Sequence, residues 1–246
     1  MEETGARLAI PRWFAAVQAI LVSGIPTQLI LAVILVFGMG VYPWGPDGAS
    51  GGMTLEFMST VMLLDTALTA LLIRIFLEIS GEDSRSVFLG HRRQAGEVIR
   101  GLLLVPVVFA GVTGVVLGLR AIAPWLQTVD ESPMLEFMKT PFEAAIFLLV
   151  VVLGGGVKEE LQRAFILHRF RHYLGGVRIG LVVFSVWFGI LHWDQGLDVA
   201  VSIGLLGLFW GVLFIKRRSA VLGIVNHAGF NAAQVAQVML ARMLGV

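Results

Sequence analysis

The chain contains no cysteine, which excludes disulfide bonds, thiolate metal ligands and a cysteine nucleophile. Charge is also scarce. Lys, Arg, Asp and Glu make up 14% of the 246 residues, against about 25% in soluble domains. The formal net charge is +1, which argues against nucleic acid as a partner. The opening Met1-Glu2-Glu3, followed by Arg7 and Arg12, has no small-residue cleavage site after a short apolar core, so no removable signal peptide is expected. Hydropathy shows no internal repeat of the kind common in transporters.

What the chain has is apolar sequence. Hydrophobic residues form 57% of it and the mean hydropathy is +0.86. Apolar segments recur at about 13–42, 54–79, 101–123, 142–168, 178–194, 198–215 and 219–241, most of them near the ~20 residues that cross a hydrocarbon core. Pro43, Pro46 and a Gly-rich run at 45–52 punctuate the first link, and Pro133 and Pro141 flank the approach to the fourth segment. The expected fold is all-α: a polytopic membrane helix bundle of about seven transmembrane helices. Residues 1–246 read as one integral-membrane domain, with no room for a sizeable soluble one.

Lys and Arg crowd cytoplasmic loops, so their placement orients the bundle. Arg7, Arg12, Arg85, Arg92, Arg93, Arg100, Arg169, Arg171, Arg178, Lys216, Arg217 and Arg218 fall on one side, and Arg120, Lys139 and Arg242 on the other. This predicts a multi-pass protein of the plasma membrane with a cytoplasmic N-terminus. Segment 82–100 mixes arginines with Val87, Phe88, Leu89 and Val98; it reads as an interfacial amphipathic helix or as a solvated basic loop. Trp44, Trp125 and Trp193 stand near the other ends of the spans, where aromatic belts form.

Ionisable residues inside spans are costly and mark function by default. The fourth span carries Gly154-Gly155-Gly156-Val157-Lys158-Glu159-Glu160-Leu161-Gln162-Arg163. Glu159 and Arg163 are i,i+4 and Glu160 and Arg163 are i,i+3, so the three can share a helix face as an ion pair. The bland reading is a self-neutralising cluster that holds helices together. His192 in the fifth span, and His227 with Asn231 in the seventh, argue for more. At ~1.5 Å per residue, Glu159, His192, His227 and Asn231 all lie roughly 12–21 Å from the cytoplasmic ends of their helices. Carboxylates and imidazole at one depth can activate water, while a second histidine and a carboxamide can stabilise an oxyanion.

At these residues the chain resembles the CAAX protease and bacteriocin-processing family of intramembrane proteases, which includes type II CAAX prenyl endopeptidases. The family's motifs are E-E-x-x-x-R, F-x-x-x-H and H-x-x-x-N, in that order on separate helices. Here they correspond to Lys158–Arg163, Phe188–His192 and His227–Asn231, within a motif-bearing core of about 142–241. The resemblance implies a membrane helix bundle, commonly of eight helices, so a chain ending after a seventh would lack the last. It implies an endopeptidase in which Glu159 or Glu160 and His192 activate water, and His227 and Asn231 hold the oxyanion. Arg163 and Lys158 are supporting residues. No cofactor is expected, although zinc held by Glu159, His192 and His227 is an alternative. The expected partners are the lipid bilayer and a peptide or membrane-protein substrate, reaching the site from the cytoplasmic side or from the bilayer.

One departure stands out. Matching Arg163 to the motif arginine puts Lys158 at the first glutamate and Glu159 at the second, so the glutamate pair is displaced by one residue. On an ideal helix that displacement turns a side chain by about 100°; a bulge at the three glycines would restore the direction. A catalytically silent membrane scaffold or binding protein is therefore an alternative, as is a small ion or proton-coupled transporter using Asp65, Arg74, Lys158 and Glu159. Asp65 is placed to pair with Lys158 or Arg163, or to face a water-filled cavity.

Overall fold

The computed structural model describes residues 10–43 and 53–245. Trp44, Pro46, the Gly-rich run and Arg7 lie outside them. The described residues are helical, with no strand among them. Four helices are long and apolar enough to cross a membrane: Leu55–Ile79, Gln94–Ile122, Pro141–His172 and Leu197–Arg217. A bent pair at the start brings the number to five. The protein is therefore a multi-pass membrane helix bundle.

The first predicted span, 13–42, is broken. Helix α1 (Arg12–Val22) and α2 (Ile25–Val33, continuing as a π-turn over Ile34–Gly38) meet at 53°. Gly24 adopts φ +88° and Pro26 stands in the first turn of α2. Proline has no N–H with which to continue a helical ladder, and glycine tolerates the left-handed turn. The carbonyl of Val22, left open by the break, accepts a 2.6 Å hydrogen bond from Gln162 Nε2.

Helix α3 (Leu55–Ile79) is capped by the Thr54 hydroxyl. Segment 82–100 is not one interfacial helix. It divides into a short α4 (Ser84–Phe88), capped by Asp83, and the first turns of α5 (Gln94–Ile122). Two 3₁₀ turns, Pro124–Leu126 and Pro133–Phe137, lead to α6 (Pro141–Val150), which starts with a reciprocal Thr140/Glu143 capping box. The helix then widens into a π-segment, Val151–Glu159, and resumes as α7 (Glu160–His172).

Helix α8 (Val177–Ile190) has 14 residues, about 21 Å at 1.5 Å per residue, and is too short to cross alone. A turn over Trp193–Gln195 returns the chain into α9 (Leu197–Arg217), packed against α8, and α10 (Val221–Leu244) packs on α5 and the π-segment. Asn226, His227, Asn231, Gln234 and Gln237 make α10 less apolar than the other long helices. Together, the short α8 and polar α10 separate the helices that pass the length and composition test from the seven segments expected.

Candidate active site

The π-segment positions the site. It falls where Gly154, Gly155 and Gly156 remove side chains from three consecutive positions. A Cβ on Gly156 would lie 2.6 Å from the Cβ of Ala228, and one on Gly155 would lie 2.5 Å from Asn231 Nδ2. Glycine therefore lets α10 approach this wall closely. Asn231 donates its Nδ2 to the carbonyl of Val151 across 2.9 Å, tying α10 to the first residue of the widened stretch. π-Bulges are rare and frequently mark functional sites.

Where the π-segment ends, three consecutive side chains point to three places. Lys158 reaches α3 and donates to Asp65 Oδ2 at 2.7 Å; both side chains are buried. Asp65 also accepts from Thr27 and, at 2.9 Å, from Gln28 Nε2. Glu160 pairs with Arg163 and lies 3.0 Å from Nδ1 of His227, with its side chain only 2% exposed. Glu159 accepts no hydrogen bond among the described residues. Its carboxylate, 18% exposed, lines a cavity, and its Oε2 lies 3.8 Å from Nε2 of His227. Glu159 and Glu160 therefore do not share Arg163. Successive helical positions differ by about 100°, so the ion pair uses Glu160 alone and leaves Glu159 open.

Arg163 is fully buried. Its guanidinium carbon lies 5.1, 4.9 and 5.3 Å from the ring centroids of Phe184, Phe188 and Trp210. These π-faces partly replace the hydrogen bonds that Nε and Nη2 lack, because aromatic faces attract cations. Trp210 also stacks on His227, with centroids 3.8 Å apart, and donates its indole N–H to Asn226 Oδ1 at 2.8 Å. Asn226 in turn donates to the carbonyl of Gly101 at 3.0 Å. His227 is thus held by Glu160 at one nitrogen and by Trp210 on one face.

His192 does not lie within a helix. Helix α8 ends at Ile190, and His192 stands in the turn after it. Its Nδ1 lies 2.7 Å from the carbonyl of Phe188. A carbonyl can only accept, so Nδ1 carries the proton, satisfies an open carbonyl at the helix end and leaves Nε2 with a lone pair.

Glu159, His192, His227 and Asn231 line one cavity of about 590 Å³, whose other walls include Met62, Phe147 and Leu206. Ser132 and Asp194, both exposed, also line it, so it reaches the surface at the end opposite the arginine-rich turns. Glu160 and Arg163 lie outside the lining. Sequence reasoning missed Trp210, Asn226 and Gln162. The available signals were a tryptophan in mid-span rather than at a span end, and polar residues beside His227 and Arg163. Among the described residues no group of three or more His, Asp or Glu is disposed to hold a metal ion.

The family model for Rce1-like type II CAAX prenyl endopeptidases matches residues 141–233. That stretch contains the π-segment together with Glu159, His192, His227 and Asn231. No curated protein and no solved structure matches the chain.

Proposed function

With residues 141–233 matched by the family model for Rce1-like, type II CAAX prenyl endopeptidases, we propose that this protein is an intramembrane endopeptidase of that family with Glu159 as its general base. The observation that carries this reading is the division of labour between the two glutamates. Glu160 is engaged by Arg163 and His227, whereas the Glu159 carboxylate is open to the cavity that His192, His227 and Asn231 also line.

In this reading a water held by Glu159 and by Nε2 of His192 gives its proton to Glu159 as its oxygen attacks the peptide carbonyl. The carbonyl becomes an oxyanion. Asn231 uses one Nδ2 hydrogen on Val151 and has a second to donate. His227 directs Nδ1–H at Glu160, and a proton on Nε2 supplies the other donor. The tetrahedral centre then collapses: the C–N bond breaks, and Glu159 returns its proton to the leaving amine. Charge supports this scheme. Asp65, Glu159 and Glu160 oppose Lys158 and Arg163, so the cluster is neutral when the Glu159–His227 pair holds one proton beyond the Nδ1–H. No step requires a metal.

Lys158 occupies the first glutamate position of the motif, which favoured an inactive scaffold. Its pairing with Asp65 weighs against that alternative, because the ammonium is bonded to Asp65 rather than to Glu159. We orient the protein with its N-terminus in the cytoplasm, in the plasma membrane, from the distribution of arginines. In that orientation the cavity mouth at Ser132 and Asp194 faces away from the cytoplasm. The substrate segment then enters from that outer side or sideways from the bilayer, and not from the cytoplasmic side expected from the sequence. Cleavage of a peptide library by the full chain in lipid vesicles tests the proposal; a folded protein that cleaves nothing would refute it.

A further inference from the structure

A second cavity, of about 420 Å³, lies at the arginine-rich end of the bundle, far from the motif residues. His91 from the α4–α5 link, His168, Arg171 and His172 from the end of α7, and Arg218 after α9 all line it. No Asp or Glu does. The nearby carboxylates are already engaged: Glu82 is bonded to Arg169 and, at 2.8 Å, to His168 Nε2, and Asp83 accepts the amide of Ser86 at 2.8 Å. The side chains of Arg171 and Arg218 have no hydrogen-bond or ion-pair partner among the described residues.

Positive charge that merely sets topology needs only to stand in water near the helix ends. Here it is gathered into a concavity with fixed walls. The amide of Ala220 donates to the Phe88 carbonyl at 2.7 Å, and Arg92 Nε donates to the Arg217 carbonyl at 2.9 Å. These bonds fasten the turn after α9 to the α4–α5 link. Arg218, at φ +56°, is the only non-glycine residue with positive φ among the described residues, and its carbonyl packs against Gly90, itself at φ +57°. A non-glycine residue persists in the left-handed region when its surroundings over-determine it, and such strain clusters at ligand clamps.

We infer that this pocket binds a phosphate group, presented by an anionic lipid headgroup or by a soluble phosphate ester. Two unpaired guanidinium groups line the cavity together, and guanidinium forks match phosphate oxygens. The position suits a headgroup, since basic pockets between helices at the cytoplasmic side take lipid phosphates. This inference does not depend on the proteolytic reading.

The test is thermal melting of the detergent-purified full chain with dihexanoyl phosphatidic acid, dihexanoyl phosphatidylcholine or glycerol 3-phosphate. Phosphatidic acid is expected to raise the melting temperature and phosphatidylcholine to leave it unchanged. Arg171→Gln and Arg218→Asn should each weaken the phosphatidic acid effect at least about tenfold, the loss expected for one charge-assisted hydrogen bond. Arg85→Gln, on the same face but outside the pocket, should not. A response to glycerol 3-phosphate means that phosphate suffices, and its absence assigns the site to lipid. Equal binding of both lipids, wild-type binding by the pocket variants, or equal loss in Arg85→Gln would overturn the inference. If a pocket variant fails to fold, hydrogen exchange of the wild type decides. Phosphatidic acid must slow exchange at residues 86–91 and 214–220, and protection confined elsewhere contradicts the site.

Discussion

The Nδ1 of His227 lies 3.0 Å from the Glu160 carboxylate, and in the proposed mechanism this contact divides the roles of the two glutamates. It fixes the ring so that Nε2 faces Glu159 at 3.8 Å, much as a carboxylate bonded to the far ring nitrogen orients histidines in metal sites. Glu160→Gln should therefore impair both structure and activity. Breaking a buried ion pair costs about 3–5 kcal/mol, so its melting temperature is expected to fall along with its cleavage rate.

Asn231→Ala tests the oxyanion role. Loss of one such donor lowers kcat about 10²–10³-fold. The expected result is a fall of that size in kcat with KM little changed. A change confined to KM would place Asn231 in substrate binding instead.

Asp65 and Lys158 are a buried pair whose two members should fail singly and recover together. Asp65→Asn and Lys158→Met are each expected to destabilise the protein by about 3–5 kcal/mol, whereas replacing both by apolar residues is often neutral. Urea or thermal unfolding of Asp65→Leu/Lys158→Met measures the coupling. Recovery of cleavage by the double variant would confirm that Lys158 has no chemical role.

Glu82 gives the protein an acid-sensitive contact outside the spans. Burial pushes its carboxyl up, but hydrogen bonds from His168 and Arg169 outweigh this and hold it below its ordinary value of 4.5. A depressed folded-state pKa contributes stability above the unfolded value, which is lost as pH falls through the folded one. The melting temperature should thus drop as pH is lowered below about 4.5, and Glu82→Gln should lack that component of the drop.

The helical segments were legible because apolar runs of spanning length leave few alternatives. The break in the first run was written in Gly24 and Pro26, but hydropathy averages over such residues. His192 read as part of a span because Phe188–Leu191 are apolar; its place past the helix end depends on the turn before α9. Asp65 was recognisable as a partner for Lys158 or Arg163, yet only packing distinguishes them. The choice between Glu159 and Glu160 depends on how the π-segment hands over to α7, and glycines permit a bulge without dictating it. Trp210 gave no periodic signal, and its stacking on His227 joins residues far apart in sequence.

A chelator separates the metal-free reading from the zinc alternative. Pre-incubation with 1,10-phenanthroline followed by its removal is expected to leave the cleavage rate unchanged. Loss of activity restored by added zinc would point to a metal-dependent step.

The most direct measurement is the cleavage rate of Glu159→Gln beside wild type in lipid vesicles, with melting temperatures recorded for both. The change removes the base and keeps the shape of the side chain. A fall of at least about 10²–10⁴-fold in kcat, with the melting temperature preserved, is the expected result. Cleavage by Glu159→Gln at the wild-type rate would contradict the assignment of Glu159 as the base.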